Sequence, residues 1–172
     1  MTAKIALIAS AALLASGVAF AADVPTDPQI AHIAYTAGSL DIEAGKLALR
    51  KSKNASVREF ASEMVRDHAA VNEKALALVT KLGVTPEPNA TSEGLTKQAD
   101  ETRAKLAKLN GKAFDRAYVA NEVAYHNTVN GALKTALIPS ADNGELKSLL
   151  ETGLTLFSEH QKHAEHLSAS LK

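Results

Sequence analysis

The segment FASEMVRDHAAVNEKALALVTKLG, residues 60–83, decides the fold because its apolar residues recur at the period of a helix. They stand alternately four and three residues apart, which is the spacing of the stripe that a helix buries in a bundle. The stripe consists of Ala61, Val65, His68, Asn72, Ala75, Val79 and Leu82. Gly83 follows directly, and glycine is the residue type that most often ends a helix. The segment therefore predicts a long helix with one buried face.

The same helical period continues through the rest of the chain, and no segment of the sequence alternates in the manner of a strand. Ser56 and Glu59 have the spacing of a capping box at the start of the second helix. We predict helices over residues 28–52, 56–82, 93–109, 112–138 and 144–172. This pattern indicates an all-α fold, an up-down four-helix bundle with one additional short helix between the second and third long helices.

The first 21 residues have the pattern of a secretory signal peptide. The stretch MTAKIALIASAALLASGVAFAAD, residues 1–23, begins with a basic residue, continues as an apolar run and places small residues at Ala19 and Ala21. A retained membrane anchor would need a longer apolar run. We therefore expect a signal peptide over 1–21, export to the periplasm, and a single helical-bundle domain over 22–172 without a membrane span.

The composition narrows the classes of partner. The 172 residues include 19 Lys and Arg and 19 Asp and Glu, so the formal net charge is zero. A neutral chain has no long-range attraction for nucleic acid, and a chain without cysteine has no disulfides and no thiolate metal ligands. We expect no nucleic-acid partner, while a protein partner and a homo-oligomer both stay open.

Three helices each carry one histidine near the middle of an otherwise apolar stripe, namely His68, His126 and His160. Glu122 lies one turn before His126 and on the same face of its helix. The first helix offers Glu43, which we predict to face the interior of the bundle. These five side chains form a candidate metal site.

The run FSEHQKHAEHL, residues 157–167, is not itself a metal motif. At about 100° per residue, His163 lies about 60° to one side of His160, and His166 lies about 120° round the helix. Only His160 lies on the buried stripe. We therefore expect His163 to assist at most from the flank and His166 to face solvent.

Two interpretations of the histidine layer stay open. Imidazole and carboxylate ligands suit a transition metal such as Zn, Cu, Ni or Fe, and bundle cores commonly hold such ions. Alternatively, the histidines form a buried hydrogen-bonded layer in a structural, interaction or envelope-stress protein. Counted from the turn at 139–143, His126 and His160 differ in level by about 8 Å, which argues against one shared site.

No catalytic motif is visible, so we expect no enzyme activity. The sequence has no Gly-rich phosphate loop and no nucleophile elbow. Di-iron carboxylate bundles carry Glu-x-x-His on two helices, and no histidine of this chain has a glutamate three residues before it. A di-iron carboxylate centre is therefore not expected.

Two segments, residues 60–83 and LNGKAFDRAYVANEVAYHNTV at 109–129, resemble a known family. The chain is similar to the exported bacterial ferritin-like four-helix bundles catalogued as a domain of unknown function and often labelled outer membrane or exported proteins. The shared pattern comprises Phe60, Met64, Asp67, His68, Asn72, Gly111, Phe114, Asp115, Tyr118, His126, His160 and Ala164. The resemblance implies a ferritin-like bundle and no established activity or cofactor. Glu122 departs from the pattern, since relatives usually have an apolar residue there.

Overall fold

A computed structural model describes residues 24–171, and the predicted signal peptide over 1–21 lies outside the described residues. The helices are α1 (Asp27–Lys51), α2 (Ala55–Leu82), α3 (Ala90–Ala107), α4 (Gly111–Ala132) and α5 (Gly144–Ser170). A π-helical turn, Leu133–Leu137, and a short helical turn, Ile138–Ser140, extend α4 to the last connection. Residues 24–171 contain no strand, and the predicted all-α bundle with a short third helix is confirmed.

The short helix α3 carries the chain back along the whole bundle. It begins beside the start of α1, where the Glu87 N–H donates to the carbonyl of Pro28 at 3.0 Å. It ends beside the end of α1, where Lys51 Nζ donates to the carbonyl of Ala107 at 2.8 Å. Because of this crossover, α2 and α4 run parallel to each other and antiparallel to α1 and α5. One long crossover between two antiparallel helix pairs is the ferritin-like arrangement.

The ends of α2 are fixed by Asn54 and Gly83. The Asn54 side chain accepts the backbone N–H groups of Ser56 at 3.0 Å and Val57 at 3.2 Å. The predicted capping box beginning at Ser56 is therefore wrong, because an Asn placed just before the helix already binds the free N–H groups of the first turn. Gly83 ends the helix as predicted, with a φ of 63° that favours glycine.

The last connection is anchored to the first helix through one carboxylate. Asp27 accepts the backbone N–H of Asp142 at 3.0 Å and that of Asn143 at 2.9 Å. The Asn143 side chain in turn caps α5 by accepting the N–H groups of Glu145 and Leu146. The start of α1 and the turn before α5 are thus held at the same end of the bundle.

The core consists of two apolar clusters with a polar layer between them. The first cluster is centred on Phe60, Phe114 and Tyr118. The second cluster, at the other end of the bundle, comprises Ile30, Ile33, Leu133, Leu137, Ala141, Leu146, Leu150 and Phe157. In each of the four long helices, the residues between the two clusters include a buried polar or charged side chain. Every helix described in residues 24–171 is too short or too polar to cross a bilayer.

A Gly38→Ala substitution should destabilise the α1–α2 packing. The Asn72 amide donates to the Tyr35 carbonyl at 3.2 Å and to Ser39 Oγ at 3.0 Å. A Cβ at position 38 would lie 2.3 Å from Asn72 Oδ1, so the amide would have to leave this position. We expect a loss of about 1–3 kcal/mol in the free energy of unfolding, measured by urea denaturation.

The matched control is Gly131→Ala in α4, where an added Cβ meets no atom within 4 Å. Alanine is the better helix former, so this variant should gain about 0.5–1 kcal/mol. Equal effects of the two substitutions would show that the contact with Asn72 does not constrain the packing.

Candidate metal centre

The four long helices bring five ionisable side chains together in the polar layer. They are Asp41 from α1, His68 from α2, Glu122 and His126 from α4, and His160 from α5. Each residue is at most 3% exposed. Four of them were predicted to lie on buried stripes, and the structure places all four there. The fifth, Asp41, was not predicted.

The three histidine rings form a nearly equilateral triangle. Their centroids lie 5.7 Å apart for His68 and His126, 5.4 Å for His68 and His160, and 5.6 Å for His126 and His160. Each ring offers one nitrogen such that all three nitrogens lie within 4.8 Å of one another. This is a compact set of imidazole ligands in the middle of the protein.

The Asp41 carboxylate lies against two of these rings. Its Oδ2 atom is 2.8 Å from His68 Nε2 and 3.4 Å from His126 Nε2. Neither contact is aligned as a hydrogen bond, and both Asp41 oxygens and both His68 nitrogens lack hydrogen-bond partners within residues 24–171. Buried polar atoms without partners are rare in proteins, so this group of atoms requires an explanation.

The tautomer of His126 follows from its backbone contact. Its Nδ1 lies 3.0 Å from the carbonyl oxygen of Glu122, and because a carbonyl only accepts, Nδ1 carries the proton and donates. Burial lowers the pKa of His126 and outweighs the attraction of the Asp41 charge. In the neutral ring Nε2 therefore has a lone pair, and this lone pair lies 3.4 Å from a carboxylate oxygen.

His160, like His126, donates one ring N–H to a neighbouring oxygen, and its acceptor lies nearer the surface. Its Nε2 lies 3.1 Å from Asp67 Oδ2 and donates to that carboxylate. Burial lowers the pKa of His160, so in the neutral ring Nδ1 has the lone pair, and this buried atom has no partner among the described residues. Histidines that bind metals typically donate their second ring N–H to a carboxylate or a backbone carbonyl. Both His126 and His160 meet this condition.

The two buried carboxyl groups have opposite charge states. Burial would raise the pKa of Asp41, but the attraction of His68 and His126 outweighs burial and lowers that pKa to about 2. Burial and the nearby Asp41 charge raise the pKa of Glu122 well above its ordinary value of 4.5. The surroundings thus favour the ionised form of Asp41 and the protonated form of Glu122.

A second, partly exposed group lies outside the polar layer. Glu63, Asp67 and His160 each offer a ligand atom, all within 4.8 Å of one another. Glu63 also accepts a hydrogen bond from His163 Nδ1 at 2.8 Å, and Asp67 accepts one from Arg66 at 2.7 Å. His160 belongs to both groups, so it links the buried layer to the surface.

Glu43 is the one predicted ligand that the structure removes from the site. Its side chain is 50% exposed and pairs with Lys46 at 3.1 Å. The buried stripe of α1 passes instead through Ile30, Ile33, Ala37, Leu40, Asp41, Ala44 and Ala48. Asp41 lies two residues before Glu43, about 200° away round the helix. The alanines of α1 widen its apolar surface, so spacing within this helix alone did not identify Asp41.

The predicted difference in level between His126 and His160 does not keep their rings apart. Side chains tilt toward the N-terminus of their own helix. Since α4 and α5 are antiparallel, His126 tilts away from the connecting turn and His160 tilts toward it. The two tilts bring the ring centroids of His126 and His160 to within 5.6 Å of each other. The prediction that their difference in level argues against a shared site is therefore wrong.

A Glu122→Gln variant should reveal the raised pKa of Glu122 through the pH dependence of stability. Because the folded-state pKa lies above the unfolded-state value near 4.5, this group's contribution is complete below pH 4.5 and is lost as pH rises toward the folded-state pKa. Glutamine cannot ionise. The free energy of unfolding of the variant, relative to wild type, should therefore increase above pH 4.5 by up to about 1.4 kcal/mol per pH unit.

Urea denaturation of chelator-treated protein at several pH values from 4.5 to 7.5 measures this difference. A difference that stays constant over that range would contradict the raised pKa. Glu43→Gln, which changes an exposed glutamate, is the control and should show no such trend.

Comparisons with known proteins agree with this architecture. A family model described as a domain of unknown function (DUF4142) matches residues 13–167, and no curated protein matches the chain. The fold is similar to that of a Streptomyces coelicolor protein described as "putative secreted protein DUF305", with 13% identity and a TM-score of 0.69, covering 83% of this chain and 91% of that chain. A DUF305 fragment from Deinococcus radiodurans has 13% identity and a TM-score of 0.71, with 83% and 95% covered.

At 13% identity these two structures establish a shared helical fold and nothing more specific. The family match spans almost the whole bundle, and the resemblance noted in the sequence is confirmed. The chain belongs to the DUF4142 family, a domain of unknown function.

Proposed function

We propose that this protein is an exported, non-enzymatic helical bundle that binds one transition-metal ion in its polar layer. The ligands are Asp41, His68, His126 and His160, with Glu122 as a further carboxyl group beside them. The observation that carries the proposal is the contact between His126 Nε2 and Asp41 Oδ2, in which two lone pairs lie 3.4 Å apart in the core.

That contact is unfavourable without a cation. Asp41 is ionised and His126 is neutral with its proton on Nδ1, so no hydrogen lies between the two atoms. A positive ion near them would accept both lone pairs and would also give partners to the buried atoms of His68 and His160. The negative charge of Asp41 favours a cation at this position, and loss of the Glu122 proton would add a second negative charge.

The ligand types narrow the class of ion. Three imidazoles with carboxylate suit Zn²⁺, Ni²⁺, Cu²⁺ or Fe²⁺, whereas Ca²⁺ and Mg²⁺ prefer sites made of oxygen alone. Cysteine is absent from the sequence, so thiolate contributes nothing. We propose a single ion and not a di-iron carboxylate centre, because the Glu-x-x-His motif of such centres does not occur in this chain.

The alternative function is structural, with the histidines as a hydrogen-bonded layer that fixes helix register. Such a layer stabilises a core only when its members satisfy one another. Here atoms of Asp41, His68, Glu122, His126 and His160 lack partners within the described part of the chain, which favours the metal site. Export to the periplasm is supported by the N-terminal sequence pattern and by the description of one structural neighbour as secreted.

Asp41→Asn and His126→Ala variants should each weaken metal binding by about 100-fold or more, because each change removes a direct ligand. Isothermal titration of chelator-treated protein with Zn²⁺, Ni²⁺, Cu²⁺ and Fe²⁺ measures the affinity, and circular dichroism verifies that the helices remain. Asp41→Asn preserves the size of the side chain, so a loss of affinity in that variant reports on ligand chemistry.

Glu43→Gln is the matched control, since it removes an exposed carboxylate from the same helix two residues away. We expect it to bind metal like the wild type. If wild-type protein binds none of the four ions, or if all three variants bind equally well, the proposed function is wrong and the layer is structural.

A further inference from the structure

A cavity of about 620 Å³ lies between the long helices at the end of the bundle that holds the second apolar cluster. Its walls come from all five helices and from the π-helical turn. They are mainly aliphatic and include Ile33, Val71, Ala75, Leu133, Leu150 and Phe157. Val71 and Ala75 are only half-buried, so the space reaches the surface between the helices.

A space of this size is unusual inside a small bundle. Protein interiors are packed as closely as organic crystals and keep few voids larger than a water molecule. Small-molecule sites, by contrast, measure about 300–1,000 Å³ and have mainly apolar walls. The cavity therefore has the size and lining of a ligand site.

The π-helical turn gives an independent indication at the same place. Leu133 and Leu137 begin and end that turn, and both side chains line the cavity. A π-helical turn interrupts the regular α-helical bonding, and such turns occur frequently at functional sites. In this chain the irregular backbone of the fourth helix thus coincides with the wall of the cavity.

One end of the cavity is polar and borders the candidate metal centre. His68 and His126 both line it, and Phe157 stacks on the His68 ring with centroids 4.5 Å apart and planes 9° from parallel. The Tyr125 hydroxyl and the Asn72 amide also line the cavity, but they already donate to Ala37 and Tyr35. The His68 nitrogens have no partner among the described residues, so a ligand head group would meet the histidines.

We infer that the cavity binds an aliphatic molecule with a single carboxylate head group. The aliphatic chain of the ligand lies against the leucine and valine side chains, and its head group points toward His68 and His126. The apolar contact is independent of the proposed metal function. The head-group contact rests on the proposed metal function, because the negative charge of Asp41 disfavours a carboxylate unless a bound cation offsets that charge.

Titration with decanoate and decanol tests both parts. We expect metal-free protein to bind both probes, and Zn²⁺-loaded protein to bind decanoate at least tenfold more tightly than decanol. Failure of both probes to bind either form of the protein overturns the inference. Binding of both probes without any effect of Zn²⁺ supports the apolar site and contradicts the metal contact, so the two proposals fail separately.

Cavity-filling variants locate the binding. Ala75→Phe and Ala132→Phe each place a large ring in the cavity wall, and we expect each to weaken decanoate binding at least tenfold. Ala70→Phe on the exposed face of α2 is the matched control and should bind like the wild type. Undiminished binding in cavity variants whose circular dichroism matches that of the wild type would place the ligand elsewhere and overturn the inference.

A measurement on the wild-type chain decides the question even if those variants fold poorly. A carboxylic acid of about the same length with a nitroxide on its chain should broaden the NMR signals of the Phe157 ring. It should leave those of Phe114, in the other apolar cluster, unchanged. Equal broadening of both rings, or broadening of Phe114 alone, would overturn the inference.

Discussion

The whole structure depends on the burial of one carboxylate in the middle of an apolar bundle. Asp41 is 2% exposed, and a charge removed from water is costly unless compensating groups surround it. The groups nearest to this carboxylate are His68 and His126, which belong to two other helices, and the proposed metal ion would compensate the charge. The helices therefore associate in the register that brings Asp41, His68 and His126 to one level. This requirement selects one arrangement among the many ways in which helices with similar apolar stripes could pack.

The polar layer divides the bundle into two halves of different character. On one side, Phe60, Phe114 and Tyr118 fill the core with stacked and edge-on rings. On the other side the lining is mainly aliphatic, the fourth helix contains a π-helical turn, and a large cavity reaches the histidines. Close packing on one side holds the layer in place, while the open side gives a small molecule access to it.

Much of the fold follows from the period of the apolar residues. The helix stripes, Gly83 as the end of α2 and the inward positions of the three histidines all result from spacing within single helices, so local sequence predicts them. The capping of α2 was predicted wrongly because Asn54, two residues before Ser56, already binds the free N–H groups. The buried face of α1 was also predicted wrongly. The many alanines of this helix allow several faces to be buried, and only contact with α2 selects the face that carries Asp41.

The sequence by itself therefore determined the helices, their order and four of the five side chains at the candidate site. The tertiary structure alone decided that Asp41 and not Glu43 lies in the core, that the tilts of His126 and His160 bring their rings together, and that α3 forms the crossover. The physical reason is that spacing fixes the angle of a side chain around its own helix. Distances between side chains on different helices depend on register, tilt and rotation, which packing in three dimensions sets.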